Sequence, residues 1–139
     1  MLSSFLRRLI FAREFFMING KIELLGIKGV MLPKEILPVI NNKKGYQKCK
    51  DAIIAHMHNF SGRHDAKQHN MMQIAKGIYE SFGLGELKVN DNKAEIEGEL
   101  EGIEYIAAGV LSGLISFNTG KNKDITPKKL KQEKNVTLY

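Results

Sequence analysis

Four histidines, one cysteine, a row of glutamates and a pair of glycines are the residues of this chain whose types and spacing could do chemistry. Neutral imidazole is a common ligand for zinc, copper and nickel, so His56, His58, His64 and His69 raise the question of a metal site. Their spacing argues against one. His56 and His58 are two residues apart, about 200° around a helix axis, and His64 and His69 are five apart, which is also poor for one helical face. With no partnering cysteine pair and no His-Glu-x-x-His pattern, the histidines read as surface or helix-end residues, and no metal is expected. Cys49 falls on an apolar stripe and reads as a buried, inert thiol rather than a nucleophile. Glu95, Glu97 and Glu99 alternate with apolar residues. Paired carboxylates serve as acid and base in glycoside hydrolysis only where two different environments flank a pocket. Carboxylates in register along one strand read instead as a solvated sheet face, and no catalytic residue is assigned.

The glycines are the best functional candidates. Residues 103–117 form an expected helix with no charge after Glu104, in which Ile106, Val110, Leu114 and Phe117 make a bulky stripe. Ala108, Gly109, Ser112, Gly113 and Ser116 make a small one. In an apolar segment of about 20 residues Gly-x-x-x-Gly suggests transmembrane pairing, but this segment is nearer the ~10–14 of a buried core helix. Small residues remove side-chain bulk, so either a neighbouring backbone approaches closely or space remains for a guest.

Several elements must position this helix. Asn19-Gly20 lies between Phe15-Phe16-Met17-Ile18 and Lys21-Ile22-Glu23-Leu24-Leu25, and Asn-Gly supplies the two positive φ angles of a type I′ hairpin turn. Gly26 and Gly29 flank a further run, Val30-Met31-Leu32, which Pro33 ends; a helix starting there is short because Pro38 lies inside it. Tyr46, Cys49, Ile53, Met57 and Phe60 recur at helical spacing, with Lys48, Lys50, Asp51 and His58 off that stripe and Gly62 as the C-terminal cap. Met71, Ile74, Ala75, Ile78 and Phe82 mark a second helix, closed by Gly83. The two helices are expected to pack together. A second hairpin follows, Gly85-Glu86-Leu87-Lys88-Val89 and residues 93–100 around Asn90-Asp91-Asn92, with Ala94, Ile96, Gly98 and Leu100 on one face.

The chain's 139 residues suit a single domain, and its 43% apolar and 26% charged residues are ordinary for a globular protein. One cysteine excludes an internal disulfide framework, and Arg7 and Arg8 interrupt the apolar run of Leu2, Phe5, Leu6, Leu9 and Ile10, so no cleaved signal is read and the cytoplasm is the expected compartment. No apolar run reaches the ~18 residues of a membrane span. The formal charge is +6, and six lysines between Lys121 and Lys134 face only Asp124 and Glu133. Without interleaved aromatics to stack bases, this basic segment reads as a solvated stretch and nucleic acid is not an expected partner. Arg7, Arg8 and Arg13 beside the N-terminal apolar residues would suit an anionic interface, so peripheral membrane contact stands as an alternative to a helix packed on the core or across a dimer interface.

Phe16-Met17-Ile18-Asn19-Gly20-Lys21-Ile22-Glu23-Leu24-Leu25-Gly26 leading to Met31-Leu32-Pro33, two central helices, Gly83-Leu84-Gly85-Glu86 before a hairpin, and Ala108-Gly109-Val110-Leu111-Ser112-Gly113 resemble the vinyl-4-reductase domain family. The match covers most of residues 11–117, and its weight lies in the order and spacing of the motifs. The resemblance implies an α+β domain over residues 1–139, its antiparallel sheet built from an N-terminal and a C-terminal hairpin and packed against several helices. An N-terminal helical extension (about 1–13) and a basic C-terminal segment (about 118–139) flank it. It also implies a homodimer that holds a small hydrophobic or aromatic molecule. Gly109 and Gly113 match small positions of the family's final helix, and Gly20 and Pro33 its hairpin turn and strand exit. Relatives bind zinc through a C-terminal cysteine and glutamate cluster; this chain has no cysteine after Cys49, so no zinc and no other cofactor is expected.

The expected function is a ligand-binding domain in a sensor or carrier role. Its wall is Ile78, Phe82, Ile106, Val110, Leu114 and Phe117, with Gly109 and Gly113 beside them and Tyr79 or Tyr105 as polar handle; such pockets are mostly apolar with few polar groups. One alternative is a tetrapyrrole vinyl reductase or its accessory protein, although no Gly-x-Gly-x-x-Gly is present to hold a dinucleotide. The other is a protein- or membrane-surface interaction module.

Overall fold

The alternating segments pair as their sequences require. In the computed structural model, which describes residues 15–18, 21–24, 27–29, 33–63, 68–90 and 92–138, β1 (Phe15–Ile18) and β2 (Lys21–Leu24) are antiparallel with Ile18 opposite Lys21. β3 (Ile27–Gly29) joins β2 antiparallel to complete a three-stranded sheet. The type I′ turn at Asn19-Gly20, the helical extension at 1–13, the run Val30-Met31-Leu32 and His64 lie outside the described residues. The chain divides into two units, Met1–Lys34 and Glu35–Tyr139, and the second holds the candidate residues.

After Pro33 comes a 3-10 helix, Lys34–Ile40, kept short by Pro38. Helix α1 (Lys43–Arg63) starts earlier than the apolar stripe because Asn42 caps it, its Oδ1 accepting the Gly45 N–H at 2.9 Å. It also runs through Gly62 to Arg63, so Gly62 is not the cap expected; an internal glycine costs about 1 kcal/mol, too little to end a helix of this length. Helix α2 (Gln68–Ser81) does close as its sequence indicates, with Gly83 in the left-handed region at φ 78° and its N–H donating to the Glu80 carbonyl.

β4 (Glu86–Val89) and β5 (Lys93–Glu97) form the second hairpin, with Leu87, Ala94 and Ile96 buried and the glutamates at 95 and 97 exposed. Helix α3 (Glu104–Thr119) is buried at every residue from 106 to 116, the signature of a central core helix rather than an amphipathic surface one. Its N-terminus receives help across the fold, since the Tyr105 N–H donates to Asn41 Oδ1 at 2.8 Å and satisfies one of the donors a helix start leaves unpaired.

The basic C-terminal segment is not the solvated stretch its composition suggested. Pro127 starts α4 (Pro127–Glu133), Lys134 turns the chain in a left-handed conformation at φ 57°, and β6 (Asn135–Thr137) adds to β5 antiparallel. Ile125, Leu130 and Leu138 are buried, so three apolar anchors fold this segment onto the core while the lysines between them stay at the surface. The chain is α+β; each of its two hairpins gains a third strand and forms its own antiparallel sheet, β1-β2-β3 and β4-β5-β6. Among the described residues no helix is long and apolar enough to cross a membrane.

Candidate functional site

Helix α3 offers three environments, and the ten residues expected to line a ligand site divide among them. The first is the glycine seam. A Cβ on Gly109 would lie 2.5 Å from the Tyr46 carbonyl oxygen and 3.0 Å from Cys49 Cβ; one on Gly113 would lie 2.9 Å from both Ile53 Cβ and the Lys50 carbonyl oxygen. Of the two uses open to these small residues, close approach of a backbone is the one realised, and α1 fills the space. Residue numbers rise together along the seam, from Asn41 with Tyr105 to His58 with Phe117, whose rings meet edge-on at 5.0 Å and 89°, so the helices run parallel. Cys49, half-buried in this seam, has its thiol pKa pushed up by burial, which disfavours the thiolate.

The second environment was not visible in the sequence. Lys50, read as lying off the apolar stripe, is only 5% exposed. Its Nζ donates to Asp124 Oδ1 at 2.7 Å and to Asn122 Oδ1. The Tyr46 hydroxyl donates to the same Asp124 oxygen at 3.0 Å and accepts the Ile125 N–H at 3.0 Å. From α3, Ser112 Oγ donates to the Lys123 carbonyl, while Ser116 Oγ accepts the Lys123 N–H at 2.8 Å. Together these bonds strap the loop of residues 120–126 across α1 and α3. The Lys50 ammonium, aided by the Tyr46 hydroxyl, holds the Asp124 carboxyl below its ordinary pKa. These bonds make the cluster a clamp. The serines were legible only as part of a small stripe, and Lys50 only as a charge; the partners that give them meaning lie more than seventy positions from Lys50.

The third environment is on the α2 side. Ile78 and Tyr79 are wholly buried on α2, Ile106, Val110 and Leu114 are buried on α3, and Phe82 stands exposed at 38% beyond the end of α2; Tyr105 and Phe117, both half-buried, lie along the α1 seam. Helix α2 packs on α3, while Gly109 and Gly113 belong to the α1 seam, Phe117 meets His58 there, and Phe82 is exposed. Among the described residues the Tyr79 hydroxyl has no hydrogen-bond partner, and it is shut off from solvent. Burial pushes its pKa above the ordinary value, so it is a neutral donor. A phenol is large enough to fill a core position, but its hydroxyl leaves a desolvation cost of about 1–3 kcal/mol when unmet.

Among the described residues no group of histidine, cysteine, aspartate and glutamate is arranged to hold a metal. No protein-family model, no curated protein and no solved structure matches this chain.

Proposed function

We propose that this chain is a small-molecule-binding domain that holds a hydrophobic or aromatic ligand, in a sensor or carrier role, on the α2 side of α3. One observation carries the reading: Tyr79 on α2 is wholly buried, as are Ile78 beside it and Ile106, Val110 and Leu114 on α3, and among the described residues its hydroxyl has no hydrogen-bond partner. Ligand sites combine apolar walls with a few polar groups that fix orientation, and a buried donor without a partner is matched when a guest supplies an acceptor. The resemblance to vinyl-4-reductase domains supports the same reading and adds a homodimer as the expected assembly. The glycine seam lends no support, since α1 occupies it.

Native mass spectrometry of the full chain purified from its own source tests the proposal. A non-covalent adduct of small mass is expected, released on denaturation and lost from Tyr79→Phe protein that folds with unchanged or raised stability. If the wild-type chain carries no adduct and Tyr79→Phe simply melts higher, the hydroxyl serves no ligand and the reading fails.

A further inference from the structure

Lys50, Asn122 and Asp124 bring an amine, an amide and a carboxylate into mutual contact, a set of groups that can react as well as bond. The lysine comes from α1 and is buried, while the asparagine and aspartate come from the loop of residues 120–126 and are exposed. Lys50 Nζ donates to Asn122 Oδ1 and to Asp124 Oδ1 at 2.7 Å, and Asn122 Nδ2 donates to Asp124 Oδ2 at 3.4 Å. One carboxylate oxygen therefore touches the amine and the other touches the amide nitrogen. The Tyr46 hydroxyl, donating to Asp124 Oδ1 at 3.0 Å, holds the carboxylate in that bridging position.

Acyl transfer needs these parts in this order. A primary amine is a nucleophile once it gives up a proton, the amide carbon one bond beyond Oδ1 is an electrophile, and the amide nitrogen leaves only if it gains protons. Asp124 spans the atom that must lose protons and the atom that must gain them. It also stays ionised, since the Lys50 ammonium and the Tyr46 hydroxyl hold its carboxyl below the ordinary pKa. Holding the three groups together by the fold replaces the improbable encounter of a free amine with a free amide. Solvation gives the step a direction. A buried ammonium is costly, a secondary amide in its place carries no charge, and the aspartate left behind is exposed enough to keep its water.

We infer that this triad is a site of self-catalysed cross-linking, at which the Lys50 side chain displaces ammonia from Asn122 and forms an isopeptide bond between α1 and the loop. The Nζ lone pair, freed when Asp124 takes a proton, adds to Asn122 Cγ, and the Cγ–Nδ2 bond then breaks. Asp124 passes two protons in turn from Nζ to Nδ2, so the nitrogen leaves as ammonium and the carboxylate is regenerated. The balance closes without a co-reactant. The ion pair of the clamp is the state before the step, and the product ties together two residues 72 positions apart.

Intact-mass spectrometry of the full chain, fresh and after warm incubation at neutral pH, tests this. The chain is expected to lose the mass of one ammonia, and trypsin to release segment 49–63 joined to Asn122-Lys123 instead of cutting after Lys50. Asn122→Ala, a change on an exposed loop, and Lys50→Met, which keeps the side chain's bulk, should each retain the full mass. Asp124→Ala should lose ammonia about a hundredfold more slowly while its circular dichroism stays that of the wild type. The linked wild type should also melt higher than Asn122→Ala, because the bond constrains the unfolded chain as a disulfide does. An unchanged mass after prolonged incubation, loss of water in place of ammonia, a branched peptide that joins Lys50 to another residue, or linkage at the wild-type rate in folded Asp124→Ala would overturn the inference.

Discussion

Lys50 and Tyr79 are both buried polar residues on helices that pack against α3, yet the lysine donates to two side chains and the tyrosine hydroxyl has no partner among the described residues. Around Lys50, an aspartate, an asparagine, a tyrosine and two serines join three segments into one network. Tyr79 is wholly buried, and its hydroxyl has no hydrogen-bond partner among the described residues. Matched buried polar groups fix a structure, because any displacement exposes the cost of each unmade bond. An unmatched one adds cost without fixing anything, so its retention points to something outside the chain's own contacts. The contrast separates a structural clamp from the proposed ligand handle.

The seam that positions both should show the largest effect. Gly113→Leu would drive a side chain into Ile53 and the α1 backbone, and about 3 kcal/mol or more of destabilisation is expected in denaturant melts; a small loss would mean that α1 can retreat and that the seam is looser than its contacts indicate. Asp124→Ala should cost about 1–2 kcal/mol, held to that range because the carboxylate is 65% exposed and screened by solvent. Its pH signature has a definite sign. Asp124 is more acidic in the folded chain than its ordinary 3.8, so its contribution is complete above the unfolded value and is lost as pH falls through the folded one. The stability difference between wild type and Asp124→Asn should therefore shrink below about pH 4, and a difference that stays constant there would remove the ion pair from the account. Tyr79→Phe should have the smallest effect and the opposite direction, raising stability by about 1 kcal/mol in ligand-free protein. A loss of stability instead would show that the hydroxyl has a partner after all and collapse the contrast.

Local pattern made much of the fold legible. Period-two alternation located β4 and β5, the three-and-four spacing located α1 and α2, and the uncharged run after Glu104 located α3. What escaped was non-local. Val136-Thr137-Leu138-Tyr139 reads as a strand-like run, but the pairing of β6 with a strand about forty positions earlier is not local, and α4 is a short lysine-rich helix whose buried residue is Leu130. Lys50 looked like a solvent-facing charge because its neighbours in sequence are charged, while its acceptors lie on a loop beyond α3. At the candidate site, the periodic apolar positions were readable, and so was the doubt about the glycines. Which side of α3 those glycines serve depended on the path of α1, which no spacing within α3 encodes.

The span of the clamp bears on how the chain is made. Lys50 and Asp124 are 74 positions apart, and at about 5–20 residues per second of synthesis the lysine waits roughly 4–15 s for its carboxylate. For most of that interval, until Gly113 is made, α1 lacks the glycine face of α3, and to its end the ammonium lacks the Asp124 carboxylate. A lysine at that position keeps the unfinished face of α1 hydrated while the chain lengthens, and it gives up that water only when the loop arrives to replace it. The same residue that fastens the finished protein therefore also acts as a solubilising group for the nascent one.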